Sequence, residues 1–226
     1  ILPFSSLNER RDNWRQDFYE RFFPIVKNAK SAYEAAAILN NNIFEMVGVI
    51  YSTKRPKADQ SPYESIDAGL ASCTGLSFML IDACRSVGIP ARFVGTPMWY
   101  NNSGNHSWVE IWDNGWHFTG AFEPTGDRLN EGWFASLAAR AVEGHPEYGI
   151  YAATWKKTGI FFPMDWKPGV EKYYAYDVTS SYQKYLDDNF VSLRIKVVGE
   201  NGMRKKVLVD VKAVSYTHLR AHETQR

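Results

Sequence analysis

The spacing of apolar residues predicts three helices in the first ninety positions of the chain. Apolar side chains recur there every three or four residues, as on a helix with one buried face. The three predicted helices span residues 5–23, 31–51 and 72–87. Pro24 is expected to end the first helix, and Ser31 with Glu34 forms a capping-box pattern at the start of the second. The polar segment 52–71 contains two prolines and is predicted to be a loop.

Strand patterns follow directly after these helices. Residues 91–100 are predicted to form one strand, and residues 106–112 and 116–124 to form a hairpin. The Asn114-Gly115 pair between the last two segments is the strongest short-range hairpin signal. Helices followed by antiparallel strands predict an α+β domain in which the N-terminal helices pack on an antiparallel sheet.

The pattern changes again near the C-terminus. Residues 191–197 and 207–213 alternate between apolar and polar side chains, which predicts a second hairpin with one buried face. The last dozen residues lack any apolar period and resemble a translated adaptor sequence. The chain is therefore predicted to divide into a main domain, the start of a truncated β-rich module and a non-native tail, over residues 1–178, 179–214 and 215–226.

Composition limits the classes of function. The 226 residues are 45% hydrophobic, which is enough for one sizeable core. With 26 basic and 25 acidic residues, the chain has no charge excess of the kind that binds nucleic acid. No apolar run approaches the roughly 20 residues of a membrane span. The chain starts without Met or a secretory signature, so we expect a fragment or a processed form, of a compartment that the sequence leaves open.

The two cysteines lie on the same predicted helix but in different settings. Cys84 falls on the apolar stripe and is expected to be a core residue. Cys73 stands at the helix N-terminus, where the helix dipole favours a thiolate. A rise of about 1.5 Å per residue separates the two by about 16 Å, whereas a disulfide requires about 6 Å, so no disulfide is expected.

The predicted hairpin supplies a base for Cys73. A two-residue loop at Asn114-Gly115 places His106 directly opposite Glu123, with Cβ atoms about 5 Å apart. An odd-numbered loop would put the two side chains on opposite faces. A carboxylate beside an imidazole fixes its tautomer and stabilises its charged form. Cys73, His106 and Glu123 are therefore the candidate catalytic residues.

Other interpretations of these residues are weaker. The same three side chains are possible zinc ligands, but the C-x-x-C and H-E-x-x-H spacings of zinc sites are missing, so no metal or other cofactor is expected. Asn101 and Asn105 match the glycosylation pattern, but a glycan at Asn105 would crowd His106. Four further residues are candidates for lining a substrate cleft, although the aromatic ones among them would equally pack the sheet: Gln60, Trp99, Tyr100 and Trp108.

Three sequence blocks together resemble the transglutaminase-like superfamily, within the papain-like cysteine peptidase fold and of bacterial type. The blocks are "SCTGLSFMLIDACRSVGIPARFVG", "NHSWVEIW" and "GWHFTGAFEPT". The resemblance implies that Cys73 is the nucleophile and His106 the base. Glu123 stands where the family usually has Asp before Pro, and its side chain is longer by one methylene.

This resemblance implies cysteine-dependent acyl transfer on peptide or protein amides. Water as the acceptor gives a peptidase or amidase, and a lysine-type amine gives a transglutaminase. We expect hydrolysis, because no dedicated amine-binding tunnel is visible in the sequence. A non-catalytic binding module of the same fold is the other alternative, which an intact triad disfavours. The resemblance also favours an exported protein, while the oligomeric state stays open.

Overall fold

The computed structural model describes residues 3–186 and the backbone of residues 210–215 and 218–222. Residues 1–187 form one compact unit and residues 188–226 a second. The helices are α1 (Arg15–Val26), α2 (Ala32–Val47), α3 (Pro62–Ala68), α4 (Cys73–Ser86) and α5 (Ala135–Ala138), with a 3-10 helix over Thr179–Tyr185. The strands are β1 (Ile50–Tyr51), β2 (Leu70–Ala71), β3 (Ala91–Thr96), β4 (His106–Trp112), β5 (Trp116–Thr119), β6 (Tyr151–Thr154), β7 (Tyr174–Asp177), β8 (Asp210–Ser215) and β9 (His218–His222).

The first helix begins later and ends later than its apolar pattern predicts. Pro24 lies inside the last turn of α1. Because proline has no backbone N–H, it donates no hydrogen bond to the Glu20 carbonyl one turn earlier, but Glu20 is an exposed residue. Before the helix, the Glu9 side chain accepts from the backbone N–H groups of Ser6 and Leu7, which holds that segment in a turn instead of a helix.

The segment 52–71 is not only a loop, as its prolines suggested, because it contains α3 and β2. Ser61 accepts a hydrogen bond from Glu64 N, and the Glu64 carboxylate accepts from Ser61 N, which is a complete capping box. Pro62 occupies the first turn, where its missing N–H has no cost. The sequence S-P-x-E therefore carried a helix signal that the loop prediction overlooked.

The centre of the unit is a five-stranded antiparallel sheet in the order β5-β4-β3-β6-β7. Helix α4 packs against β3 and β4, and also against α1 and α2. A second apolar cluster contains strand residues Val94, Trp108 and Phe118, together with Phe134 beside α5 and Tyr182 of the 3-10 helix. The predicted α+β class, with N-terminal helices on an antiparallel sheet, is confirmed.

The register of the β4–β5 hairpin differs by one residue from the prediction. Trp112 pairs with Trp116, so the loop contains three residues, and Asp113 N donates to Gly115 O at 2.9 Å. Strand β5 ends at Thr119, four residues before Glu123. The predicted direct cross-strand pairing of His106 and Glu123 is therefore wrong, because the odd loop shifts the ladder and the strand ends too early.

The second unit is described only in part. Strand β8 pairs with β9 in an antiparallel two-stranded sheet, and β9 falls in the segment that was expected to be a non-native tail. The predicted strand at 191–197 lies outside the described residues. Within the described part of the chain, no helix combines the length and the apolar character that a membrane crossing requires.

Candidate active site

Cys73 is the first residue of α4, and a capped turn holds it there. The Ser72 hydroxyl accepts from Gly75 N at 3.2 Å and donates to Ala58 O at 2.7 Å. Ser72 thus satisfies a free N–H of the first turn and ties the helix start to the preceding loop. Cys73 therefore lies at the positive end of the helix dipole, with its side chain partly exposed.

A hydrogen bond between neighbours of the two central residues brings α4 and β4 together. Thr74 Oγ1 and Ser107 Oγ are 3.2 Å apart in a buried contact. Ser107 also lowers the pKa of the Cys73 thiol, through its backbone N–H and its hydroxyl. No sequence signal indicated Ser107, because strand alternation places it on the face opposite His106.

The side chains of His106 and Glu123 lie close together, although the two residues are not paired in the β4–β5 ladder. His106 Nε2 and Glu123 Oε2 are 3.5 Å apart, which is an ion-pair distance without hydrogen-bond geometry. Glu123 reaches this place through a tight turn after β5, in which Glu123 N donates to Gly120 O at 3.1 Å. The imidazole is buried, while the carboxylate is partly exposed.

Opposite pKa shifts mark the thiol and the imidazole as a pair. Burial alone would raise the pKa of the Cys73 thiol, but interaction with His106 and with Ser107 lowers it below its usual value. Burial alone would lower the pKa of His106, but interaction with Cys73 and Glu123 raises it to about 9. These shifts favour a thiolate beside an imidazolium at neutral pH.

Aromatic rings surround the His106 imidazole. Two of them were predicted: the ring centroids of Trp108 and Trp99 lie 5.9 and 6.2 Å from the imidazole, and both side chains are buried. Two others, Phe134 and Trp133, were missed and lie closer, at 4.8 and 4.9 Å. Trp133 is 59% exposed, so it presents apolar surface to solvent beside the imidazole.

The two remaining predicted cleft residues have other contacts. The Gln60 amide donates to the carbonyls of Glu64 at 3.1 Å and Leu70 at 3.0 Å, so both of its N–H groups hold the loop before Cys73. The Tyr100 ring lies under the Arg140 guanidinium at 5.9 Å. Gln60 therefore has no amide hydrogen left for a substrate oxygen in this arrangement.

The second cysteine is different in kind from Cys73. Cys84 is fully buried in the core, and both thiols are free. Burial raises the pKa of Cys84 to about 12, so that this thiol stays protonated and unreactive at neutral pH.

Comparisons with known proteins concern the family and the fold of the chain. Residues 21–121 match the family model of the transglutaminase-like superfamily. A comparison with curated proteins finds no match. One similar solved structure is a candidate cysteine protease from Cytophaga hutchinsonii, with 15% sequence identity and a TM-score of 0.43. The similarity covers 55% of this chain and only 40% of that one.

Proposed function

Because residues 21–121 belong to the transglutaminase-like superfamily, we propose that this chain is a cysteine-dependent acyl-transfer enzyme that hydrolyses peptide or protein amides. The observation that carries the proposal is the Cys73–His106 pair, in which the pKa of the thiol is lowered and that of the imidazole is raised to about 9. Glu123, 3.5 Å from His106 Nε2, is the orienting carboxylate.

The first half of the reaction forms an acyl-enzyme. The Cys73 thiolate attacks the amide carbonyl carbon, and the oxygen becomes an oxyanion. The N–H groups in the first turn of α4 have no intrahelical acceptor, so the Cys73 N–H is available to stabilise that charge. The intermediate then expels the amine, which takes a proton from the His106 imidazolium, and a thioester to Cys73 remains.

The second half regenerates the enzyme. His106, now neutral, takes a proton from water as the oxygen attacks the thioester carbonyl. Collapse of this second intermediate releases the carboxylic acid and restores the thiolate beside the imidazolium. Nε2 of His106 faces Glu123, so the proton moves through the other ring nitrogen, Nδ1.

Selective alkylation tests the nucleophile. With iodoacetamide at neutral pH, Cys73 should react fast and Cys84 slowly, because Cys84 is fully buried with a pKa of about 12. His106→Ala should slow the labelling of Cys73 to the rate of an ordinary thiol. Equal, slow labelling of both cysteines would contradict the proposal and support a binding module.

The acyl acceptor is tested separately. A glutaminyl peptide is supplied together with a fluorescent primary amine, and the products are separated by mass. Release of ammonia or cleavage of the peptide without label means hydrolysis, whereas incorporation of the amine means that the chain is a transglutaminase. Cys73→Ala is the control, since either product must disappear in that variant.

A further inference from the structure

Asn40 of α2 makes three hydrogen bonds to the end of β5 and the turn that follows it. Its amide group donates to Thr119 Oγ1 at 2.9 Å and to Gly120 O at 2.8 Å. Its carbonyl oxygen accepts from Phe122 N at 3.0 Å. Asn40 is 3% exposed, so these bonds are shielded from water and each is costly to lose.

This turn is the one that carries Glu123, and it needs an external support. Phe122 has a φ of +67°, a left-handed conformation that aromatic residues rarely adopt. Its ring packs edge-on against Phe44 of α2 at 5.5 Å. Asn40 and Phe44 lie one helical turn apart, so a single face of α2 holds both the backbone and the side chain of the turn.

We infer that Asn40 is a positioning residue, which sets the Glu123 carboxylate against His106 by clamping residues 119–122 to α2. The inference rests on the proposed function for its consequence in catalysis, but the position of the carboxylate can be measured without activity. Among the described residues Glu123 pairs with no strand, and the 3.5 Å spacing to His106 Nε2 depends on where the turn lies. Without the clamp, the carboxylate is free to turn towards solvent, since 30% of its side chain is already exposed.

Asn42 of the same helix provides a matched control. Its amide donates to Ile38 O, one turn back in α2, at an exposed position. Asn40 and Asn42 are thus the same residue type, two positions apart on one helix, and only the first contacts the turn that holds Glu123.

The test is an NMR titration of the His106 imidazole in the wild type, Asn40→Ala and Asn42→Ala. Loss of a carboxylate neighbour should lower the imidazole pKa of Asn40→Ala by about one unit. Asn42→Ala should titrate as the wild type does. An unchanged His106 titration in folded Asn40→Ala overturns the inference, because a purely structural Asn40 would alter stability alone.

A double mutant tests whether Asn40 changes the His106 titration through the charge of Glu123. In a Glu123→Gln background, Asn40→Ala should produce no further shift of the His106 titration, because the charge that Asn40 positions is already absent. An equal shift in both backgrounds contradicts the inference. Since the titration does not require turnover, a failure of the proposed function shows in the alkylation of Cys73 and leaves this result readable.

A milder variant covers the case in which Asn40→Ala does not fold. Thr119→Val keeps the side-chain volume and removes one acceptor of Asn40. It should shift the His106 titration in the same direction by a smaller amount. A folded Thr119→Val with the wild-type titration, together with an unfolded Asn40→Ala, would assign Asn40 to folding and overturn the inference.

Discussion

Gly120 is the residue that allows the Glu123 side chain to fold back towards His106. A Cβ atom at this position would overlap the Glu123 carboxylate and side chain. We therefore expect Gly120→Ala to push the carboxylate away and to lower kcat by about 100-fold, since small misplacements of catalytic groups have effects of that order. The measurement is amide hydrolysis together with a thermal unfolding curve.

Gly159→Ala is the control that distinguishes displacement of the Glu123 carboxylate from a loss of stability through backbone strain. Gly159 has a φ of +83°, and a Cβ there would meet nothing within 4 Å. This variant should lose stability through its positive φ but retain kcat. If both glycine variants lose activity in proportion to stability, the close approach at Gly120 has no catalytic importance.

The protonation states of Cys73 and His106 predict a bell-shaped pH profile of activity. Activity should rise as the pH passes the lowered pKa of Cys73, because the thiolate forms. It should fall as the pH passes about 9, because deprotonated His106 has no proton for the leaving amine. Glu123→Gln should move the alkaline limb of kcat/KM to lower pH by about one unit or more. An alkaline limb that stays in place would mean that Glu123 does not stabilise the imidazolium.

The cap of α4 predicts an effect at the scale of one element. Ser72→Ala removes the hydrogen bond to Gly75 N and should cost about 1 kcal/mol of the free energy of unfolding. Because the cap also fixes the first turn to Ala58 O, the alkylation rate of Cys73 should fall as well. Urea unfolding and iodoacetamide labelling measure the two effects.

Ser31→Ala is the matched control for this cap. Ser31 caps α2 by accepting from Glu34 N at 3.1 Å, in an exposed setting away from the thiol. It should lose a similar amount of stability and leave Cys73 labelling unchanged. Equal slowing of labelling in both variants would mean that global stability, and not the start of α4, controls the thiol.

Elements with one buried face could be predicted from the sequence, whereas the exact pairing of strands could not. The apolar stripe and the cap placed Cys73 at the start of α4, because helix periodicity and capping are local effects. The pairing of His106 with Glu123 depended on whether the loop at Asn114 holds two or three residues. The two residues are neighbours nevertheless, through a turn with a left-handed Phe122 that no local signal indicates.

At the scale of the whole molecule, the surroundings of the site come from segments distant in sequence. Trp133 and Phe134 lie within 5 Å of the His106 ring but belong to a region without any apolar period. Ser107 and Asn40 act through side-chain bonds to other elements. Such contacts form only in the tertiary fold. The candidate catalytic residues could therefore be named from the sequence, whereas the residues that hold them in place could not.

A buried acid in α4 predicts how the stability of the whole unit depends on pH. Asp82 is fully buried, and its two oxygens have no hydrogen-bond partner among the described residues. Burial, with a contribution from the charge of Glu9, raises its pKa well above the usual value, against the effect of Arg85. The folded state therefore holds a proton that the unfolded chain releases above about pH 3.9.

Asp82→Asn should remove the proton uptake that folding of the wild type requires. A raised pKa in the folded state means that wild-type stability falls as the pH rises from about 3.9 towards that pKa, because folding must take up a proton. Arg85 keeps the Ala91 carbonyl as an acceptor at 2.9 Å, so the substitution does not strand it. Urea unfolding at pH 5 and pH 8 should show that the stability of Asp82→Asn relative to the wild type increases with pH. Parallel pH curves for wild type and Asp82→Asn would mean that Asp82 is ionised in the folded protein.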